Sequence, residues 1–324
     1  MRKNQNFALP TVTNGTYAGE AASDFIAAAL LSAKTLDNNL ITIHPNVKYK
    51  EVIQKLDVAG IVQDASCDFV TSGSVEITER VLTPKELQVN LTLCKQNFLD
   101  SWEALSLGYS AFDEIPRNFT DYLVSYVGGQ VAEATEISIW QGDKAVNGQF
   151  DGFESALSAS AATLLTSAVQ PARVDGTGAI ASGSITSANV VEKLSAVYET
   201  IPSTVYGKSD LVIYGGTNVI KAYQSALSGV TNVGSFNNQL NVGEKPSNFQ
   251  GIEIVLAPGM SANTIAAGQK SNFHFGTGLL SDYNEVRVLD MANIDGSQNF
   301  RVIMRYTADT EFGIGQDIVY YGAF

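Results

Sequence analysis

The sequence predicts an α+β protein, and three patterns carry that reading. Val75 and Ile77 alternate with polar Glu76 and Thr78, and Leu87, Val89, Leu91 and Leu93 alternate with Gln88, Asn90 and Thr92, the period of half-buried strands. Phe119, Leu123, Val127, Val131 and Ala134 fall on one helical stripe after Pro116, a residue suited to a first helical turn. Residues 210–227, DLVIYGGTNVIKAYQSAL, read as a buried strand, a glycine turn and a helix. The 324 residues and 45% hydrophobic content suffice for one large core or two moderate ones, and 28 glycines among Ser, Asn and Thr require many turns rather than a helical bundle.

Taken in order, Ser23 is placed to cap a helix in which Ile26, Leu30, Ala33 and Leu36 keep helical spacing up to Asp37. A short strand over 40–43 stops at His44 and Pro45, because proline pushes its predecessor toward extended geometry. Tyr49, Val52, Ile53 and Leu56 suggest a second short helix. The two alternating runs then read as a hairpin, with Pro84 fixing a backbone angle in the turn over 83–86. That hairpin is apolar on one side only and has no lid nearby in sequence, so its expected cover is another subunit. In the long helix, Gly128 and Gly129 cost about 1 kcal/mol each relative to alanine, which points to a bend or a close crossing.

Between 155 and 188 the residues become small, as in GTGAIASGSITS, and a loose connection with a short helix over 161–165 is expected. Thr186 or Ser187 caps the next helix, which carries Val190, Leu194, Val197 and Ile201 on one side and stops at Pro202. The α/β unit opened at 210 continues through a Gly- and Asn-rich stretch to a strand over 252–256 and a helix start at Ser261. Val286 and Val288 mark one strand, Phe300, Val302, Met304 and Tyr306 a second joined to it by MANIDGSQN, and 318–321 a last one. No internal repeat is present.

Composition excludes several function classes. A net charge of −13, from 33 acidic and 20 basic residues, leaves no electrostatic footprint for tight phosphate binding. An acidic wall is nevertheless suited to enclosing DNA without sticking to it. Two cysteines, Cys67 and Cys94, are too few for a disulfide framework; they flank the expected hairpin and could face each other, but buried thiols are the expectation. The start MRKNQNFALP lacks a secretory apolar run, so a cytoplasmic origin is expected. No stretch approaches the roughly 20 apolar residues needed to span a bilayer.

Few residues suggest chemistry. Asp143, Asn147, Asp151 and Glu154 have the spacing of a calcium loop with Gly148 at its sixth position, but Ala145 stands where a ligand belongs, so the competing reading is a solvated turn. Gly215 and Gly216 between strand and helix could cradle a phosphate, yet the pattern is neither a dinucleotide fingerprint nor a Walker loop. His44 and His274 lie far apart and no nucleophile or zinc cluster accompanies them. No catalytic residue, cofactor or metal is expected. Charges gather on the expected hairpin as Glu76, Glu79, Arg80, Lys85 and Glu86, either as a solvated face or as register-setting contacts with a neighbour. Asn293, Asp295, Gly296 and Ser297 make a good hairpin tip.

An N-terminal arm, an extended hairpin, one long helix, a central α/β region and a C-terminal return to strands is an order that resembles the Hong Kong-type capsid fold of tailed-phage major capsid proteins. TYAGEAASDFIAAALL and CDFVTSGSVEITERVLTPKELQVNLTLCKQNFLDSWEA look like the N-terminal half of capsid proteins from Bacteroidetes-infecting and crAss-like phages. WQGDKAVNGQFDGF looks like the segment after the spine helix, and NFRVIMRYTADTEFGIGQDIVYYG like the closing strands.

The resemblance implies an N-terminal arm over 1–51, an extended hairpin loop over 52–98, a peripheral domain with spine helix over 99–154, and a connection with a second peripheral helix over 155–202. An axial domain over 203–278 and peripheral closing strands over 279–324 would follow. It further implies a virion shell of hexamers and pentamers assembled in the bacterial cytoplasm around DNA, with portal and decorating proteins as partners and no membrane. The tip holding Asn293, Asp295, Gly296 and Ser297 would meet its symmetry mates at threefold positions. Because the sequence starts at Met1 close to the arm, a separate scaffolding protein is expected. Shell expansion would bend the spine helix at Gly128 and Gly129. Competing readings are an encapsulin-type nanocompartment, a secreted β-rich surface protein and a nucleotide-using α/β enzyme.

Overall fold

The structure is a computed structural model, and it describes residues 15–18, 33–59, 62–65, 67, 73–94, 117–157, 185–228, 248–278, 285–292 and 294–322. In the first half of the chain lie strand β1 (Gly15–Ala18), helix α1 (Lys34–Asp37), strands β2 (Thr42–Pro45), β3 (Glu51–Ala59), β4 (Ser74–Leu82) and β5 (Lys85–Cys94), and helix α2 (Arg117–Gln141). The second half holds α3 (Val190–Thr200), β6 (Leu211–Gly215), α4 (Thr217–Ser228), β7 (Asn248–Phe249), β8 (Ile252–Leu256) and β9 (Ile265–Gln269). It closes with β10 (Phe273–Thr277), β11 (Glu285–Asp290), β12 (Asn299–Phe312) and β13 (Val319–Tyr321).

Strand β12, 14 residues long, organises a six-stranded sheet. Its first part pairs antiparallel with both β11 and β5, its last part with β10; β1 extends the sheet beyond β11, and β2 joins β10 in parallel. Even-numbered residues Phe300, Val302, Met304, Tyr306, Ala308 and Phe312 are buried, as the two-residue period of a half-covered strand requires. The cover is α2, whose Val124, Val127, Val131, Ile139 and Trp140 share that core.

A second sheet runs β13, β9, β6, β8, β7. Strand β6 is buried along its whole length because each face has a cover. Leu211 and Ile213 face a core with Val190, Leu194 and Val197 of α3 and Val219 and Tyr223 of α4. Val212 and Tyr214 face the α2 core, where the Tyr214 ring lies 5.2 Å from that of Trp140. The two sheets are thus pinned through one aromatic cluster, in which Trp140 also meets Phe153 at 5.4 Å and Phe273 at 6.3 Å.

The long helix, the unit formed by β6 and α4, the strand at 252–256 and the pairing of β11 with β12 follow the sequence patterns. Several expectations do not hold. Residues 51–59 are strand rather than helix, because pairing with β4 overrides a spacing that fits both periods over so short a run. The runs at 75–78 and 87–93 are not one hairpin: β4 pairs with β3, while β5 pairs with β12, more than 200 residues away in sequence. Residues 261–264 form a turn, not a helix start, since β9 begins at Ile265. The last strand joins the five-stranded sheet instead of β11 and β12, while β10 joins the six-stranded one, so the sheets cross the boundary expected at 278.

Smaller differences follow from local packing. Asn189, not Thr186 or Ser187, is the first flanking residue of α3, and its side-chain oxygen accepts from the Thr186 amide at 2.7 Å. On α2, Ala134 is exposed and the buried stripe passes through Thr135, Ser138 and Ile139. Gly129 faces open space, so no close crossing is made there. The helix expected from Ser23 through Ala33 to Asp37 does not run through Ala33, whose backbone is extended at ψ 130°, so α1 is a separate single turn; residues 19–32 and the short helix over 161–165 lie outside the described residues.

Ile139→Ala is expected to lower unfolding free energy by about 2–5 kcal/mol, the usual cost of emptying a buried site. Ala134→Gln should stay within about 0.5 kcal/mol, as exposed substitutions do. Urea unfolding of the two variants against the parent protein checks both.

Candidate functional site

Strands β3 and β4 form a two-stranded ribbon in register from the Glu51 and Leu82 pair to the Ala59 and Ser74 pair, and the ribbon bonds to no further strand among the described residues. At nine residues it reaches roughly 30 Å. Val52 and Val81 are register partners, 48% and 43% exposed, and Ile77 farther out is 60% exposed. A lone ribbon is marginally stable, and this one presents apolar side chains to solvent, so its geometry calls for a surface to lie on.

Its root is fastened to the polar face of the six-stranded sheet. Leu82 is fully buried over Gly276, where any side chain would collide with it. The Arg80 guanidinium lies 4.2 Å from the Phe312 ring centroid and bonds Glu311 at 3.4 Å. The Thr83 amide donates to Asp309 at 2.8 Å rather than closing a turn, and Lys85 donates to the carbonyls of Lys144 at 3.0 Å and Gln149 at 2.8 Å. Glu51 accepts from Nδ1 of His44 at 2.7 Å, and Nε2 of His44 meets Nδ1 of His274 at 2.9 Å.

Burial sets the electrostatics of this root. It pushes the Asp309 carboxyl up to about 7, with the neighbouring Glu311 and Asp151 adding to the effect. Glu311 is raised by burial, against the pull of Arg80. His274 is held down at about 4 by burial and by His44.

The hairpin charges fall into two places. Glu76 and Glu79 lie along the ribbon, Glu76 opposite Asp57 and Glu79 bonded by Gln54 at 2.8 Å. Arg80 is at the root, whereas Lys85 and Glu86 belong to β5 on the body sheet. Within the run Asp143, Asn147, Asp151 and Glu154, the three carboxylates turn to separate partners. Asp143 caps the Ala145 amide, Asp151 binds Lys144 at 2.6 Å, and Glu154 reaches away to the amide and hydroxyl of Ser261 at 2.8 and 2.6 Å. Among the described residues no three His, Cys, Asp or Glu side chains are grouped to hold a metal.

The glycine turn at 215–216 offers no phosphate cradle, because the amides of Gly216, Asn218 and Val219 already donate to the carbonyls of Thr264 and Ala262. Asp295, Gly296 and Ser297 form a tip in which Asp295 accepts from the Ser297 amide at 2.9 Å and Gly296 takes φ +73°; the Ser297 side chain first, and then that amide, hold the Asp295 carboxyl below its ordinary pKa. Asn293 lies outside the described residues. Cys67 is exposed, Cys94 is partly buried, and both are free thiols. No helix among the described residues is long and apolar enough to cross a membrane. The residues that sequence reasoning missed are His44 and His274, brought together by a parallel pairing of β2 with β10 that no local pattern announces.

No protein-family model matches the chain, and no curated protein matches it in sequence. Solved structures match it in fold. The cyanophage A-1(L) capsid asymmetric unit superposes with a TM-score of 0.57 at 14% identity, over 90% of this chain and 93% of that one. The capsid of an empty GTA particle gives 0.55 at 12% identity, over 100% and 96%. The satellite phage P4 procapsid, whose structure includes a size determination protein, gives 0.51 at 10% identity, over 92% and 96%.

Asp309→Asn should stabilise the fold at pH 8. A carboxyl whose folded pKa lies above its unfolded one burdens the folded state when ionised, and the burden fades as pH falls from about 7 toward about 4. Thermal unfolding of variant and parent across that range should show a gain that shrinks with acid. Along its whole described length, then, this chain has the fold of phage capsid proteins.

Proposed function

We propose that the chain is the major capsid protein of a tailed phage, a structural subunit whose copies close into a shell around DNA. The observation that carries the reading is a capsid fold matched end to end, combined with a ribbon that leaves the body bare on its apolar side. The five-stranded sheet of β6 to β9 and β13, with α3 and α4 packed on it, acts as the axial domain forming hexamer and pentamer rings, and α2 acts as the spine of the peripheral domain. The ribbon laps onto neighbours, whereas β1, α1 and β2 of the expected N-terminal arm belong to the subunit's own body. Contacts of this kind can each be weak because a shell repeats them many times.

Within this reading the extended loop is the ribbon of β3 and β4 rather than the pair of β4 and β5. Its exposed Val52, Ile77 and Val81 supply the adhesion to a neighbouring copy, and Glu76, Glu79 and Arg80 set its register, while Lys85 and Glu86 stand on β5 of the body sheet. The residues Asn293, Asp295, Gly296 and Ser297 meet symmetry mates at threefold positions. The subunit works without a cofactor, in the virion, after assembly in the host cytoplasm. A separate scaffolding protein, a portal and decorating proteins are its partners, and phages of Bacteroidetes, crAss-like ones included, are its proposed source.

Joint replacement of Ile77 and Val81 by aspartate tests the ribbon. The expected result is an unchanged far-UV spectrum and unfolding midpoint, with native mass falling to that of free subunits or small rings. Shells of normal size from that variant would contradict the role given to the ribbon.

A further inference from the structure

We propose that the root of the ribbon is a proton-sensitive clasp, in which the chain of Glu51, His44 and His274 holds β3 against the body and lets go when both imidazoles carry a proton. Glu51 is the first residue of the ribbon, His44 lies near the end of β2, and His274 belongs to β10 in the body sheet, so this chain of contacts links the ribbon to the body. The inference does not rest on the assembly reading, because it concerns the free subunit.

With both rings neutral every contact is satisfied. Nδ1–H of His44 donates to Glu51 at 2.7 Å, and Nε2 of His44 accepts from Nδ1–H of His274 at 2.9 Å. One added proton is also accommodated, because a single N–H still lies between the two rings and the Glu51 carboxylate still accepts from His44. A second proton leaves two N–H groups and two positive charges confronting each other across 2.9 Å, and the rings must part.

The surrounding charges do not neutralise that repulsion. Glu311 is the register partner of His274 but is engaged by Arg80 at 3.4 Å, and Asp309, opposite Gly276, accepts from the Thr83 amide. Both carboxyls have raised pKa values through burial, so acid relieves them and they oppose opening. His274 behaves in the opposite sense. Its folded pKa of about 4 lies below the ordinary 6.5, so the contact is at full strength above about 6.5 and is lost as pH falls through about 4.

Hydrogen–deuterium exchange of the full chain, with exchange times scaled to the intrinsic rate at each pH, tests the clasp. Peptides over 51–59 and 74–82 report on the ribbon, and those over 211–228 serve as the internal reference. Between pH 7 and about 4 the ribbon should lose protection by about tenfold or more while the reference holds, and His274→Gln should remove that pH dependence. Flat protection in the wild type, or an equal loss in His274→Gln, would overturn the proposal. If that variant leaves the reference unprotected, Glu51→Gln decides. Without the carboxylate that offsets the imidazolium charge the loss moves to higher pH, and a loss at unchanged pH refutes the clasp.

Discussion

Strand β12 is the constraint on which the rest of the structure depends. One strand of 14 residues must satisfy β5, β10 and β11 through its backbone, bury its even-numbered side chains beneath α2, and leave its other face for the ribbon root. Shortening it, or slipping its register by one residue, would send Phe300, Val302 and Met304 to the polar side and bring Asp309 and Glu311 into the core. The aromatic cluster around Trp140 extends the same constraint to the second sheet, since Tyr214 of β6 and Phe273 of β10 touch the one indole.

Two carboxylates reinforce the join at its rim. Glu136 of α2 is nearly buried and accepts from the Thr35 amide at 2.9 Å and hydroxyl at 2.6 Å, while the Gly259 amide reaches it at 3.3 Å. The Gly259 backbone packs so closely on α2 that an added methyl would fall on the Glu136 carbonyl. Glu154 repeats the device two residues further along that loop, at Ser261. Buried acids that accept several hydrogen bonds fix one geometry, because any other would leave them unsatisfied. A body held rigidly in this way lets a lightly anchored ribbon present its apolar side outward.

The parts legible in the sequence are those whose signal is local and long. Helix α2 declares itself through 25 residues, and the unit of β6 and α4 through a buried run, a glycine turn and an amphipathic stripe in direct succession. Strands β4 and β5 lack such a signal for their partners. Both runs alternate, and the two residues between them include a proline, which is what a hairpin would show; the alternation does not say which strand is the partner. Leu82 finds the gap above Gly276 and Thr83 finds Asp309, so the chain leaves one sheet and enters another at the expected turn. The calcium-like spacing failed for a related reason: Glu154 was drawn to Ser261, 107 positions away. The pairing of His44 with His274 depends on a contact across 230 positions and had no local trace.

Under the proposed function the chain completes itself only by covering neighbouring copies. Native mass by light scattering, with negative-stain imaging of the same purified sample across a range of protein concentrations and in the presence of co-produced phage head proteins, tests it most directly. Rings or hollow shells are the predicted result, and a strictly monomeric species under all of these conditions would contradict the account.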